Sequence, residues 1–270
     1  MLKCLVITVR EINSKDNKLI KYISRLNSSS SFRKKEGCFV CEGVRLCADA
    51  LRSGIKIKAA FFTTFALERH SELVDSLDKS VECYSLADSL FKSVCETQTP
   101  QGVMFLCQML EVGERSLAFN KAVALECVQD PQNMGTILRS AEAFAIDCVI
   151  LSKDCCDIFS PKVLRGSMGA VFRQKFYIAE DFYLTLTTLN NNGIKTYAAV
   201  PRNGIEILSA DFSTPCCTLI GNEGNGLTQK AIDLCDSRLT INMKGNAESL
   251  NAAVAASVVM WEMVRGNLNE

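Results

Sequence analysis

From Val123 onward the chain repeats one unit: a short apolar run suited to a buried strand, a polar loop, then a segment with helical spacing. The apolar runs fall at 123–128, 148–151, 176–178, 196–200, 216–221 and 239–241. Helical segments fall at 133–145, 160–168, 181–191, 228–234 and 249–264. Consecutive parallel strands need a crossover about as long as a helix, so this alternation predicts an α/β fold with a mostly parallel sheet covered on its faces. A shorter series precedes it. Helical spacing of Leu19, Ile20, Ile23 and Leu26 predicts a helix that ends in a loop of four serines, Ser28 to Ser31. Strands at 38–41, 57–63, 81–84 and 102–110 then alternate with helices at 43–51, 68–77 and 89–96. Residues 111–120 are polar, hold Gly113 and break the period, so they read as a linker between domains at 1–110 and 121–270.

The 270 residues can bury one sizeable core or two modest ones. No apolar run reaches the eighteen residues of a membrane span, and residues 1–10 lack the pattern of a secretion signal, so the expectation is a cytoplasmic protein. Fourteen cysteines are scattered along strands and helices, which suits small buried hydrophobes better than a disulfide framework. Cys38 and Cys41 have CxxC spacing, but Phe39 and Val40 between them suit a strand, and no second such pair follows. No metal site is expected. The single histidine, His70, sits in a polar helical stretch without triad partners and reads as an exposed bystander. Net charge is zero overall, yet residues 1–58 carry thirteen lysines and arginines against five acids, a net +8 that the rest of the chain cancels. That asymmetry points to a polyanion held at one end.

Two loops after apolar runs carry the chemistry. Gly221-Asn222-Glu223-Gly224-Asn225-Gly226-Leu227 follows one strand, and Ile241-Asn242-Met243-Lys244-Gly245-Asn246-Ala247-Glu248-Ser249-Leu250-Asn251 follows another. Both should meet at one end of the sheet, where open α/β folds bind ligands. The first has the glycines of a triphosphate loop, but Leu227 stands where the phosphate-binding lysine belongs. It also comes too late in the domain for a dinucleotide fingerprint. Its glycines instead suit close approach of backbone to a flat ligand. A third segment, 129–143, places Asn133 near a helix N-terminus, where free N–H groups favour anions, and Arg139 nearly two turns on.

In combination, Asn133 with Arg139 and Ala141, the loop 221–227, and Ile241, Met243, Gly245, Glu248-Ser249-Leu250-Asn251 and Val254-Ala255 resemble the SpoU (TrmH-like) family of RNA ribose 2′-O-methyltransferases. Arg165-Gly166-Ser167-Met168-Gly169-Ala170 is similar to the family's small-residue segment. Residues 32–43 resemble the start of its L30e-like substrate-binding domain. One departure is Asn242, where the family usually has proline.

That resemblance implies an α/β knot that is dimeric through the knot and binds S-adenosylmethionine, with Gly221, Ile241, Leu250, Met243 and Val200 at the cofactor. It implies an RNA substrate, ribosomal RNA before transfer RNA, with Arg33, Lys34, Lys35 and Arg139 on the RNA. Arg139 would grip a phosphate and hydrogen-bond the nucleophile, since guanidinium does not surrender its proton. Asn133, Glu223 and Asn251 would orient Arg139 and the ribose, with Ser249 capping the last helix. The alternatives are a transfer-RNA enzyme or a non-catalytic ribosome-assembly protein on the same fold. Retention of all four polar residues points to the enzyme.

Overall fold

The computed structural model describes residues 8–110 and 117–267. Residues 111–116 of the expected linker and residues 1–7 of the N-terminus lie outside the described residues. The chain divides into two compact units, Met1–Leu110 with Phe159–Arg165, and Glu111–Ile158 with Gly166–Glu270. The segment 159–165, which the sequence places in the second domain, groups with the first unit.

The first unit runs β1 (Val9–Ile12), α1 (Lys18–Ser28), α2 (Ser30–Glu36), β2 (Cys38–Glu42), α3 (Val44–Arg52), β3 (Ile57–Thr63), α4 (Thr64–Arg69), α5 (Ser71–Asp75), β4 (Glu82–Leu86), α6 (Asp88–Val94) and β5 (Val103–Gln108). Its sheet has the order β1-β4-β3-β5-β2. β1, β4 and β3 are parallel, and β5 runs antiparallel to both β3 and β2. Helix α1 turns Ile20, Ile23 and Leu26 onto Phe61, Phe91 and Met104, which realises the spacing seen in the sequence. Asn17 starts it, its side chain accepting from the Leu19 amide at 2.8 Å.

The serine run is not a loop. Ser29 caps a second helix by accepting from the Phe32 amide at 3.2 Å, and Gly37, at φ 59°, ends it in the left-handed region. This helix carries Arg33 inward. Arg33 is 4% exposed and its guanidinium donates to the Leu26 and Asn27 carbonyls, the otherwise unpaired end of α1. The assignment of Arg33 to the RNA is thereby corrected, because its charge is spent on a helix terminus; Lys34 and Lys35 remain exposed. His70 is half-buried and sits between α4 and α5. Cys38 and Cys41 are buried in β2, with Cys41 accepting from the Cys107 thiol at 3.7 Å, and burial pushes the Cys41 thiol well above its ordinary pKa. The thirteen cysteines among the described residues are free thiols.

The second unit runs β6 (Lys121–Leu125), α7 (Pro131–Ala143), β7 (Cys148–Ser152), β8 (Phe176–Ala179), α9 (Phe182–Asn191), β9 (Lys195–Ala199), β10 (Ile205–Glu206), β11 (Cys216–Ile220), α10 (Gln229–Leu234), β12 (Ser237–Thr240) and α11 (Ala252–Val264), while most of α8 (Pro161–Ser167), between β7 and β8 in the chain, groups with the first unit. All seven strands are parallel, in the order β10-β12-β9-β11-β6-β7-β8. β6 and β11 are buried along their whole length, as strands covered on both faces must be. Chain order across the sheet reverses between β6 and β11, and a cleft opens past the carboxyl ends of β11, β9 and β12. The small-residue segment has a packing reason. A Cβ built on Gly135 of α7 would lie 2.8 Å from the Gly166 Cα, so two backbones touch there. Among the described residues no helix is long and apolar enough to cross a membrane, and no three potential ligands cluster around a metal position.

Candidate active site

The loop after β11 closes on itself. The Asn222 amide donates to the Gly226 carbonyl at 3.0 Å, and the Gly226 amide donates back at 2.9 Å. The Asn222 side chain accepts from the Gly224 and Asn225 amides at 3.0 and 3.1 Å while donating to the Cys127 carbonyl at 2.9 Å. The sequence shows Asn222 inside the motif without showing these bonds, because their partner lies 95 residues away.

This ring of backbone forms one wall of a cleft of about 400 Å³. Val200, Gly221, Ile241, Met243 and Leu250, the five residues expected at the cofactor, all line it. Leu227, Ile232, Leu239 and Val259 supply further apolar surface. Among the described residues, no hydrogen bond engages the backbone of 241–250, so the amides and carbonyls of its cleft-lining residues Ile241, Met243, Ser249 and Leu250 are free to meet a ligand. Apolar walls with unpaired backbone groups fit a nucleoside, and the scarcity of cationic lining suits a ligand without a polyphosphate. The residues present therefore fit S-adenosylmethionine.

Asn242 is exposed, and its side chain makes no hydrogen bond among the described residues. Nothing replaces the stiffness of a proline there. Because the Asn242 amide is unpaired as well, Asn242→Pro should lose no bond and should cut the freedom of the open segment. Expected is a two- to fivefold fall in the S-adenosylmethionine Kd, from an entropy saving of about 0.4–1 kcal/mol. Calorimetry on the two proteins checks this, and weaker binding would mean that the segment must flex.

At the cleft mouth three distant segments join. The Asn251 amide group donates to the Asn133 Oδ1 at 2.9 Å, and the Asn133 amide group donates to the Glu223 Oε1 at 3.1 Å. Glu223 also accepts from the Gln129 and Asp130 amides at 3.2 and 3.0 Å. Its carboxylate thus sits at the N-terminus of α7, where the helix dipole favours a negative charge. Burial pushes the Glu223 pKa up, but the donors Asn133, its own backbone, Asp130 and Gln129 outweigh it and leave the group below the ordinary carboxylate value. The clamp therefore keeps its charge at neutral pH and is lost only on acidification below that range. Asn251 serves twice, since its Oδ1 caps α11 by accepting from the Ala253 and Val254 amides at 2.9 and 3.2 Å. Ser249, expected as that cap, instead lines the cleft. The donors and acceptors chain in one direction, which polarises each bond by the next.

Arg139 does not join this chain. It is exposed on α7, about 9 Å of helix rise beyond Asn133, and among the described residues its guanidinium has no hydrogen-bond or ion-pair partner. The expected contact between Arg139 and the three polar residues is thus corrected. The site presents a rigid Asn251–Asn133–Glu223 relay and, separately, an unengaged cation on the same helix.

A parallel sheet with a backbone-walled cleft at its carboxyl ends defines a class: an α/β protein that binds a nucleoside-sized ligand beside a preorganised polar relay. Residues 120–261 match the SpoU rRNA Methylase family, and residues 17–104 match the MRM3-like substrate binding domain. The chain is 29% identical to the 23S rRNA (guanosine(2553)-2′-O)-methyltransferase RlmP of Bacillus subtilis, over 94% of this chain and 99% of that protein. It is 30% identical to rRNA methyltransferase 3, mitochondrial, of Mus musculus, over 87% of this chain and 69% of that one. An AdoMet-bound rRNA methyltransferase from Sinorhizobium meliloti superposes with a TM-score of 0.84 at 26% identity, covering 96% of this chain and 99% of its own. The chain belongs to the SpoU rRNA methylase family and is an RNA methyltransferase.

Proposed function

We propose that the protein methylates a ribose 2′-hydroxyl in ribosomal RNA, with S-adenosylmethionine in the cleft lined by Val200, Gly221, Ile241, Met243 and Leu250. The observation that carries this reading is the Asn251–Asn133–Glu223 relay at the mouth of that cleft. Asn251 and Glu223 each hold a helix start, but neither of those roles calls for the link through Asn133 that joins them beside the pocket. When bound, S-adenosylmethionine supplies an electrophilic methyl group. The chain's own residues then have to present a hydroxyl that is a poor nucleophile at neutral pH.

In this reading the relay fixes the ribose, because each of its amides is already committed to one orientation. Arg139, unpaired in the protein, pairs with the phosphate next to the target ribose and donates to the 2′-oxygen as its negative charge develops. The hydroxyl proton leaves to solvent or to a phosphate oxygen, and Arg139 keeps its own. The first unit holds the RNA, with exposed Lys34 and Lys35 among its phosphate contacts.

The finer points of the reading follow from the same resemblance. The catalytic unit is knotted, with the segment around 241–251 drawn through an earlier loop. It pairs with a second copy through α11, whose apolar Val254, Val258 and Trp261 are 49%, 37% and 46% exposed on the face opposite its buried residues. Sedimentation at assay concentration reads the dimer. The protein works in the cytoplasm.

Mapping 2′-O-methyl sites in total RNA from cells with and without the protein tests the function. One ribosomal site that disappears with the protein is the expected result. Loss of a transfer-RNA site instead would move the substrate, and no S-adenosylmethionine binding at millimolar concentration would sink the enzyme reading.

A further inference from the structure

The buried carboxylate of Glu126 belongs to neither the relay nor the cleft lining, yet it is 3% exposed. A carboxylate removed from water is unfavourable unless donors surround it, and here three do. The Thr228 amide and hydroxyl each donate to it at 2.8 Å, and the Tyr183 hydroxyl donates at 3.1 Å. The Glu126 amide meanwhile donates to the Ile220 carbonyl at 2.9 Å, extending the β6–β11 ladder up to the start of the glycine loop. Glu126 therefore stands beside the first residue of the loop and grips the residue just after its last.

We propose that Glu126 is a positioning residue for the methyl donor, clamping the exit of the Gly221–Leu227 loop through Thr228 so that the backbone wall is set before the donor arrives. Capping of α10 does not explain the carboxylate. Thr228 does that itself, accepting from the Ala231 amide at 3.1 Å. What Glu126 adds is a fixed position for the Thr228 amide, one peptide away from cleft-lining Leu227. It is also one of a reciprocal pair. Glu126, at the end of β6, holds the loop after β11, while Glu223, in that loop, holds the start of α7 beyond β6. Only Glu223 reaches Asn133. The two clamps should therefore separate in kinetics, with Glu126 acting on donor affinity and Glu223 on turnover as well.

This inference rests on the cleft being the S-adenosylmethionine site. The test is Glu126→Gln, which keeps the volume but replaces the charge-assisted bonds from Thr228 and Tyr183 with weaker neutral ones. Expected are a rise of about tenfold in the S-adenosylmethionine Kd and KM, kcat at saturating donor within about twofold of the parent, and an unchanged KM for RNA. Thr228→Val, on the exposed side of the clamp, removes the hydroxyl bond to Glu126 together with the α10 cap, so circular dichroism is read beside its donor affinity, which should weaken; Thr228→Ser keeps both bonds and the cap and should match the parent. The double variant Glu126→Gln with Thr228→Val should fall short of the product of the single effects, since both act through one contact. Unchanged donor affinity in both Glu126→Gln and Thr228→Val would overturn the proposal, as would a kcat that collapses at saturating donor. Should Glu126→Gln fail to fold, Tyr183→Phe decides, since it removes one donor to Glu126 without touching the α10 cap: a weaker donor affinity supports the clamp and an unchanged one overturns it. Failure of the parent protein to bind S-adenosylmethionine is a different result, which would bring down the functional reading and this inference with it.

Discussion

Arg139→Ala is expected to slow single-turnover methyl transfer by about 10²–10³-fold while leaving the S-adenosylmethionine Kd within about threefold. The expectation comes from what Arg139 does not do. Its guanidinium is exposed, has no partner among the described residues and stands outside the residues that line the cleft. Truncation therefore removes no bond that holds the fold, and alanine is a better helix former than arginine by a few tenths of a kcal/mol. The thermal midpoint should hardly move. A long, flexible, unpaired cation beside a locked polar relay has value only when an anion arrives, and a phosphate next to a ribose hydroxyl losing its proton is such an anion. Arg139→Lys keeps the charge but loses the planar fork, so it should recover binding of RNA more than rate. A large loss of donor affinity in Arg139→Ala would place the side chain in the cofactor site instead. Full activity would remove it from the mechanism.

How much of this was legible beforehand depends on the range over which each feature is decided. The parallel sheet was legible because buried strands and amphipathic helices write their period into adjacent residues, as in β6, α7 and β11. The five cleft residues were legible only through resemblance, since nothing in the spacing of Val200 and Leu250 says that β9 and the segment before α11 share a pocket. The serine run misled because serine is common to loops and helix caps; Ser29 chose the cap, and the helix it started turned Arg33 onto the carbonyls of α1. Strand β1 escaped notice because Val9, Arg10 and Glu11 are exposed on an edge, so no apolar run marks it. The resemblance joins Arg139 to Asn133, six residues before it on the same helix. Six residues are also about a third of a turn apart around the axis, enough to put one side chain in the relay and the other in solvent. Glu126 was illegible for a simpler reason. Its partner Thr228 is 102 residues away, and an acid at a strand end has no pattern of its own.

Gly221→Ala should raise the S-adenosylmethionine Kd by at least about a hundredfold, whereas Gly224→Ala, three residues on in the same loop, should leave it within about threefold. The reason is space rather than dihedral freedom, for Gly221 is not among the positive-φ residues. A Cβ at Gly221 would lie 2.1 Å from the Gly226 carbonyl carbon and 2.2 Å from the Leu227 nitrogen, both backbone atoms that cannot rotate aside. The only relief is to open the loop, which breaks the reciprocal bonds between Asn222 and Gly226 and carries Leu227 out of the cleft wall. Opening also pulls on Glu223, so the relay to Asn133 should loosen and turnover should fall beyond the loss explained by affinity. At Gly224 the added Cβ meets only the Asn222 Oδ1, at 3.6 Å, an ordinary contact. Gly226→Ala falls between them. Its Cβ would enter open space, but φ is +68°, which costs a non-glycine residue about 1 kcal/mol and so about fivefold in affinity. Calorimetry on the three variants, with circular dichroism to confirm that each is folded, gives the order directly. Equal losses at 221 and 224 would mean that glycine serves general flexibility here, and the closed backbone ring would not be the feature that the donor reads.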